Sequence, residues 1–155
     1  MVSGMRNSGW NLCNTAEVFF MNLEEKAYIA GIIDGEGTVT LSRAHANETP
    51  SPKVSVANNS LPLLKWIKDK AGSGVIITRS QREPQHGIQY VLDISDNAAL
   101  ELLAEIKGYL IIKKSHADLL VSRYKAVTSR NGRYTKKLLA EKMELVSEIR
   151  KLNQQ

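Results

Sequence analysis

The chain has 155 residues, 43% of them hydrophobic, enough for one buried core and short for two full domains; it lacks both a run of about 18 apolar residues and the zones of a secretion signal. The expectation is one soluble domain inside the cell, in a prokaryotic cytoplasm or within an organelle, with no membrane partner. Its single cysteine, Cys13, excludes an internal disulfide and a thiolate metal site, and its net charge of +5 favours an anionic partner.

Residues 1–21 show no clear periodicity before Val18, Phe19 and Phe20, and are read as an N-terminal extension. Asn22 then has the character of a helix N-cap, with Glu24 and Glu25 in the first turn, and a helix is expected from Leu23 to about Gly35. After Gly37 the pattern alternates, with Val39 and Leu41 on one face and Thr38, Thr40 and Ser42 on the other. Ala46 to Pro52 has turn chemistry, and Lys53 to Ala57 resumes the alternation, so the two strands form a hairpin. Asn58, Asn59 and Ser60 precede a helix from Leu61 to Ala71 that stops at Gly72.

A second hairpin is expected from Gly74 to Gln81 and Ile88 to Ile94, turning around Pro84 to Gly87. Asp96 or Asn97 should cap a third helix to about Lys107. The order helix, hairpin, helix, hairpin, helix is a quasi-repeat and predicts a mixed α+β domain, αββαββα. Two further helices are expected, Gly108 to about Ala126 and Thr135 to Leu152, around a polar turn at Ser129 to Tyr134. Residues 22–127 thus form the core and 128–155 a C-terminal turn and helix of the same domain. From Lys107 to Lys151 twelve Lys and Arg face four Asp and Glu, while the remainder nets −3. After Thr135 the plainer reading of these charges is a solvated helix face.

Two features of the first helix break ordinary rules. Ala27, Gly31 and Gly35 recur every four residues, with Ala30 beside them, giving a stripe almost without side chains. Glycine inside a helix costs about 0.5 to 1 kcal/mol relative to alanine, so either a second helix backbone or the chain's own sheet should approach closely there. Asp34 and Glu36 lie at the helix C-terminus, where the dipole disfavours anions. A nearby cation would reverse that penalty, whereas an exposed turn pair is the simpler alternative.

The run Ile29-Ala30-Gly31-Ile32-Ile33-Asp34-Gly35-Glu36-Gly37 resembles the nine-residue motif that names the LAGLIDADG homing endonucleases, with Ile for Leu and Glu for the second acid. The helix and hairpin order and the Gly72-Ser73-Gly74 turn are similar too, so the resemblance covers about residues 22–127. It implies that the motif helices pair at a two-fold axis, through Ala27, Ala30, Gly31, Asp34 and Gly35, and that the antiparallel strands form a saddle on DNA. Glu36 would be the essential metal ligand, with the Gly35 carbonyl adding an oxygen to magnesium or manganese, while Asp34 would brace the helix. Lys113, with the adjacent Lys114 as the alternative, lines up with a lysine near the attacking water and phosphate, and Asn58 with a polar residue that organises water. A basic residue that some members carry early in the second helix is missing, since Ser60, Leu61 and Pro62 stand there.

On this reading the sheet face opposite the core meets the major groove. Thr38, Thr40, Ser42, Lys53 and Ser55 from the first hairpin, and Ile77, Arg79, Gln81, Gln89, Val91 and Asp93 from the second, would face the bases. Lys107, Lys113, Lys114, Arg123, Lys125, Arg130 and Arg133 would add phosphate contacts. One motif in one chain implies a homodimer that cuts both strands of a long, near-palindromic duplex, encoded within an intron, with intron RNA as a further candidate partner. The main alternative is a non-cleaving nucleic-acid binder, an intron maturase or a regulator. A structural module that merely dimerises is the third.

Overall fold

A computed structural model describes residues 20–79 and 87–155. The first helix, α1 (Leu23–Glu36), opens with a capping box: the Asn22 side chain accepts from the Glu25 N–H, and the Glu25 carboxylate accepts from the Asn22 N–H. Strands β1 (Gly37–Ser42) and β2 (Ser51–Asn58) follow as an antiparallel hairpin. β2 begins two residues before the expected Lys53 and includes Pro52, which lies opposite Leu41. Pairing with the next strand starts only at Lys53, so the missing proline N–H leaves no central ladder position empty.

Helix α2 (Leu61–Ala71) has Ser60 as its cap, Pro62 in its first turn and Gly72, at φ +70°, as its end. Strands β3 (Val75–Arg79) and β4 (Gln89–Ser95) pair antiparallel, and the turn expected around Pro84 lies outside the described residues. The cap of α3 (Asp96–Ile106) is Ser95 and not Asp96 or Asn97. β4 continues through Ser95, so Asp96 makes the strand-to-helix corner itself, at φ +58°, a region aspartate tolerates better than most residues.

The expected helix from Gly108 shortens to α4 (Lys114–Arg123), because the backbone N–H groups of Ile111, Ile112 and Lys113 are drawn to a carboxylate on α1. A capped final helix, α5 (Lys136–Leu152), closes the chain, with the Thr135 hydroxyl accepting from Leu138.

The four strands form one antiparallel sheet in the order β1-β2-β4-β3, so the α+β, αββαββα arrangement holds, with two extra C-terminal helices. Val39, Leu41, Val54, Val56, Leu92 and Ile94 project from one sheet face into a core shared with all five helices. Each such side chain contributes about 1.5 to 3 kcal/mol by leaving water, which fixes the register and hence what the other face displays. Lys142 corrects the expectation of a solvated α5 face, since it is 0% exposed. Its ammonium donates to the hydroxyls of Tyr134, Thr128 and Tyr124, at 2.8, 3.3 and 3.5 Å, and lies over both tyrosine rings. Among the described residues no helix is long and apolar enough to cross a membrane.

Candidate functional site

The end of α1 and the start of β1 meet with no connecting residue, and Gly37 is what permits the corner. A Cβ there would lie 2.7 Å from the Ile33 carbonyl oxygen, closer than side chains tolerate. The corner throws the two acids of the motif in different directions. Asp34 turns toward its own chain, where Oδ2 accepts from the N–H groups of Ile111 and Ile112 at 2.7 and 3.3 Å, and Oδ1 from that of Lys113 at 2.9 Å. Partial burial alone would push the Asp34 carboxyl up, but those three donors and the Lys113 charge outweigh it and hold the group below the ordinary carboxylate value.

Glu36 is exposed, and among the described residues it is gripped by Asn58 alone. The Asn58 amide donates to its Oε2 at 2.5 Å, while the Asn58 oxygen accepts from the Ser60 N–H at 2.7 Å. The start of α2 therefore sets the amide, and the amide sets the carboxylate. The Lys113 ammonium donates to the Asp34 carbonyl at 2.7 Å, which places it at the same helix end. Glu36 and Asn58, far apart in the chain, are thus in contact, while Lys113 reaches the same helix end through the Asp34 carbonyl.

This cluster fits a hard divalent cation in part. The Glu36 carboxylate is free on one side, and the Gly35 carbonyl is among the four that helix geometry leaves without an intrahelical partner. Among the described residues no group of three or more His, Cys, Asp or Glu comes together, so one chain supplies a single carboxylate. Magnesium commonly takes one or two protein carboxylates and completes its shell with phosphate and water, so the donor chemistry fits such an ion with nucleic acid present.

Beside Glu36 runs an open groove lined by Ala27, Tyr28, Gly31, Ile32, Gly35, Asn58 and Leu63. A Cβ added at Gly31 or Gly35 would meet nothing within 4 Å, so tight packing on the chain's own sheet does not account for these glycines. Two residues expected on this surface are elsewhere. Ala30 is 0% exposed because it lies on the inner side of α1, with Ile29 and Ile33. The Asp34 carboxylate is spent on residues 111–113 of its own chain.

The sheet face opposite the core displays the expected residues in rows set by strand pairing. Thr38, Ser55, Asp93 and Val75 form one row, Thr40 and Lys53 a second, Ala57, Val91 and Ile77 a third, and Gln89 and Arg79 a fourth. Ser42 faces Ser51 at the far end. Val91 is 5% exposed, a correction to its expected display: β4 lies between two strands, and Ala57 and Ile77 flank it. Asp93 is also less available than expected, since Ser55 donates to it at 2.6 Å and Lys53 pairs with it at 2.7 Å. Arg79 is exposed; Gln81 lies outside the described residues.

Among the C-terminal basic residues, Lys107, Lys114, Lys125, Arg130 and Arg133 are exposed. Arg123 is instead paired with Glu148 across α4 and α5 at 2.8 Å. Sequence reasoning passed over His116, whose Nε2 lies 3.1 Å from the Asn153 amide oxygen; the same amide donates to the Val39 carbonyl at 3.2 Å. Burial lowers the His116 pKa, the Asn153 contact opposes this and the Lys113 charge adds to it. A lone histidine in a basic helix carries no pattern that would have revealed this.

No family profile matches the chain, and no curated protein matches it by sequence. Solved structures do. The homing endonuclease I-CvuI, in complex with the I-CreI target and magnesium, superimposes with a TM-score of 0.67 at 17% identity, over 83% of this chain and 82% of that one. The archaeal intron-encoded homing endonuclease I-Vdi141I, complexed with DNA, gives 0.58 at 20% identity over 83% and 84%. I-SmaMI, bound to an uncleaved DNA target with calcium, gives 0.59 at 22% identity, over 85% of this chain and 46% of that one. The fold is that of the LAGLIDADG homing endonucleases.

Proposed function

We propose that this chain is a site-specific DNA endonuclease that acts as a homodimer, each copy hydrolysing one phosphodiester of a near-palindromic duplex. The observation that carries the reading is the exposed Glu36 carboxylate, fixed by Asn58, at the end of a glycine stripe that no side chain among the described residues covers. A helix that accepts the glycine cost without an intrachain return is explained by a partner helix. Two copies would then bring two Glu36 groups together, and their repulsion is relieved when they share a cation. The match to most of I-CvuI but less than half of I-SmaMI supports the same conclusion, that one copy is half of a working unit.

Glu36 and the Gly35 carbonyl would hold magnesium or manganese, which when bound supplies Lewis acidity at the scissile phosphate. Asn58 keeps the Glu36 carboxylate in one orientation. Lys113, held at the Asp34 carbonyl, lends positive charge where negative charge develops on the phosphate. Asp34 contributes indirectly by fixing the turn that carries Lys113. The sheet face reads bases, and the exposed basic residues after Lys107 grip phosphates. The neighbours named as DNA complexes support duplex DNA as the partner, and the one named intron-encoded supports a similar origin here. An intracellular or organellar location follows from that role.

The test is cleavage of a randomised duplex library with magnesium, beside calcium. Double-strand cuts at one near-palindromic site are expected with magnesium alone. Salt-sensitive binding without cuts under either ion would replace this reading with the maturase or regulator.

A further inference from the structure

The row of Ala57, Val91 and Ile77 differs from the rest of the face that would meet DNA. Pairing places Ala57 opposite Val91 on β2 and β4, and Ile77 opposite Val91 on β3 and β4. Three apolar side chains therefore lie side by side across three strands, with Ser55 and Asp93 on one flank and Gln89 and Arg79 on the other. Val91 is sheltered by its neighbours at 5% exposure, while Ile77 stands out at 48%. The row lies at the Glu36 end of the sheet: Val56 pairs with Gly37, and Asn58 holds Glu36. Burial accounts for Val91 being apolar, but nothing in the core requires it of Ile77, which projects away from it.

We infer that this row, through its exposed member Ile77, reads the C5-methyl groups of thymines in the major groove, close to the cutting point. The inference rests on the reading of this face as a DNA-contacting surface. Of the base edges displayed in the major groove, the thymine methyl is the apolar one. Opposite such a row the donors and acceptors of guanine or cytosine would lose water without gaining a partner, a penalty that discriminates against them. The neighbouring rows are polar apart from Val75 at the sheet edge. Arg79 and Gln89 suit purine edges, and Lys53, tied to Asp93, suits phosphate or guanine. The half-site should thus contain thymine opposite the Ile77 row, bordered by positions read through hydrogen bonds.

The test uses the duplex recovered from the randomised library, resynthesised with uracil replacing each thymine in turn. Uracil keeps the pairing edge and removes only the methyl. At one or two positions per half-site on the cleavage side, affinity is expected to fall about fourfold, the value of one buried methyl-sized group. Ile77→Ala, at an exposed position, is expected to bind the uracil and thymine duplexes equally; Ile77→Thr supplies a second variant. A recovered duplex bound equally well after every replacement would overturn the inference while leaving the endonuclease reading in place. A uracil penalty unchanged in both variants would assign the methyl contact to other residues and also overturn it. Recovery of no duplex at all would remove the endonuclease reading and this inference together.

Discussion

The two sides of the C-terminal half of α1 obey opposite economies. On the inner side everything has an account within the chain: Ala30 and Ile33 are in the core, Asp34 is met by three N–H groups, and Gly37 avoids a collision with Ile33. On the outer side the chain explains little. Gly31 and Gly35 face open space, and Glu36 is held by one amide. Features that cost a lone chain stability without a return within it point to something outside it. On the function proposed above, that would be a second α1 and a cation shared with phosphate.

The contrast predicts substitutions of opposite sign. Gly31→Leu is expected to have the largest effect, weakening self-association by 100-fold or more, about 3 kcal/mol. The same change should stabilise the isolated chain by about 0.5 to 1 kcal/mol, since a better helix former replaces glycine. Analytical ultracentrifugation with thermal unfolding measures both, and a stable, monodisperse dimer from Gly31→Leu would break the comparison. On the inner side Asp34→Ala removes an acceptor from three backbone donors that water partly replaces, and an expected loss of about 1 to 2 kcal/mol is readable by urea unfolding. Gly37→Ala should cost about 1 kcal/mol through displacement of the Ile33 turn. A neutral outcome there would show that the corner relaxes freely.

The pH responses follow from the same groups. The Asp34 carboxyl lies below its ordinary value, so its contribution is full above the unfolded pKa of about 4 and is lost as pH falls through the lower folded value. His116 has a folded pKa depressed below about 6.5, so the unfolded chain binds its proton more readily, and stability should decline as pH drops from 7 toward 5. His116→Gln should flatten that slope, by the smallest of the expected effects. An unaltered slope in denaturant melts across this range would assign it to other groups.

Much of this was legible in the sequence because periodicity carries it. The alternation of Val39 and Leu41 with Thr38 and Thr40 set both the core and the displayed face, and Ser60, Gly72 and Thr135 marked helix ends through local chemistry. The motif led to Glu36, which the fold sets against Asn58, and Lys113 reaches the Asp34 carbonyl two residues before it. What escaped depends on contacts distant in sequence. Nothing local at Ile111 and Ile112 says that an aspartate on α1 will claim their N–H groups and delay α4. Lys142 falls at a polar-looking position, and only the two tyrosines folded over it make burial affordable. Val91 alternates as a displayed residue, yet its place in an inner strand between Ala57 and Ile77 hides it.

On the proposed function, two acids two residues apart divide the work, Asp34 holding the fold and Glu36 the chemistry. The direct measurement is magnesium-dependent cleavage of the library-selected duplex by Glu36→Gln and Asp34→Asn, each assayed below its own melting temperature. Glu36→Gln is expected to melt like the parent, bind the duplex and cut slower by roughly two to three orders of magnitude, the loss typical when one group that stabilises transition-state charge is removed. Asp34→Asn should melt earlier and still cut. A Glu36→Gln protein that cuts at the parent rate would contradict it.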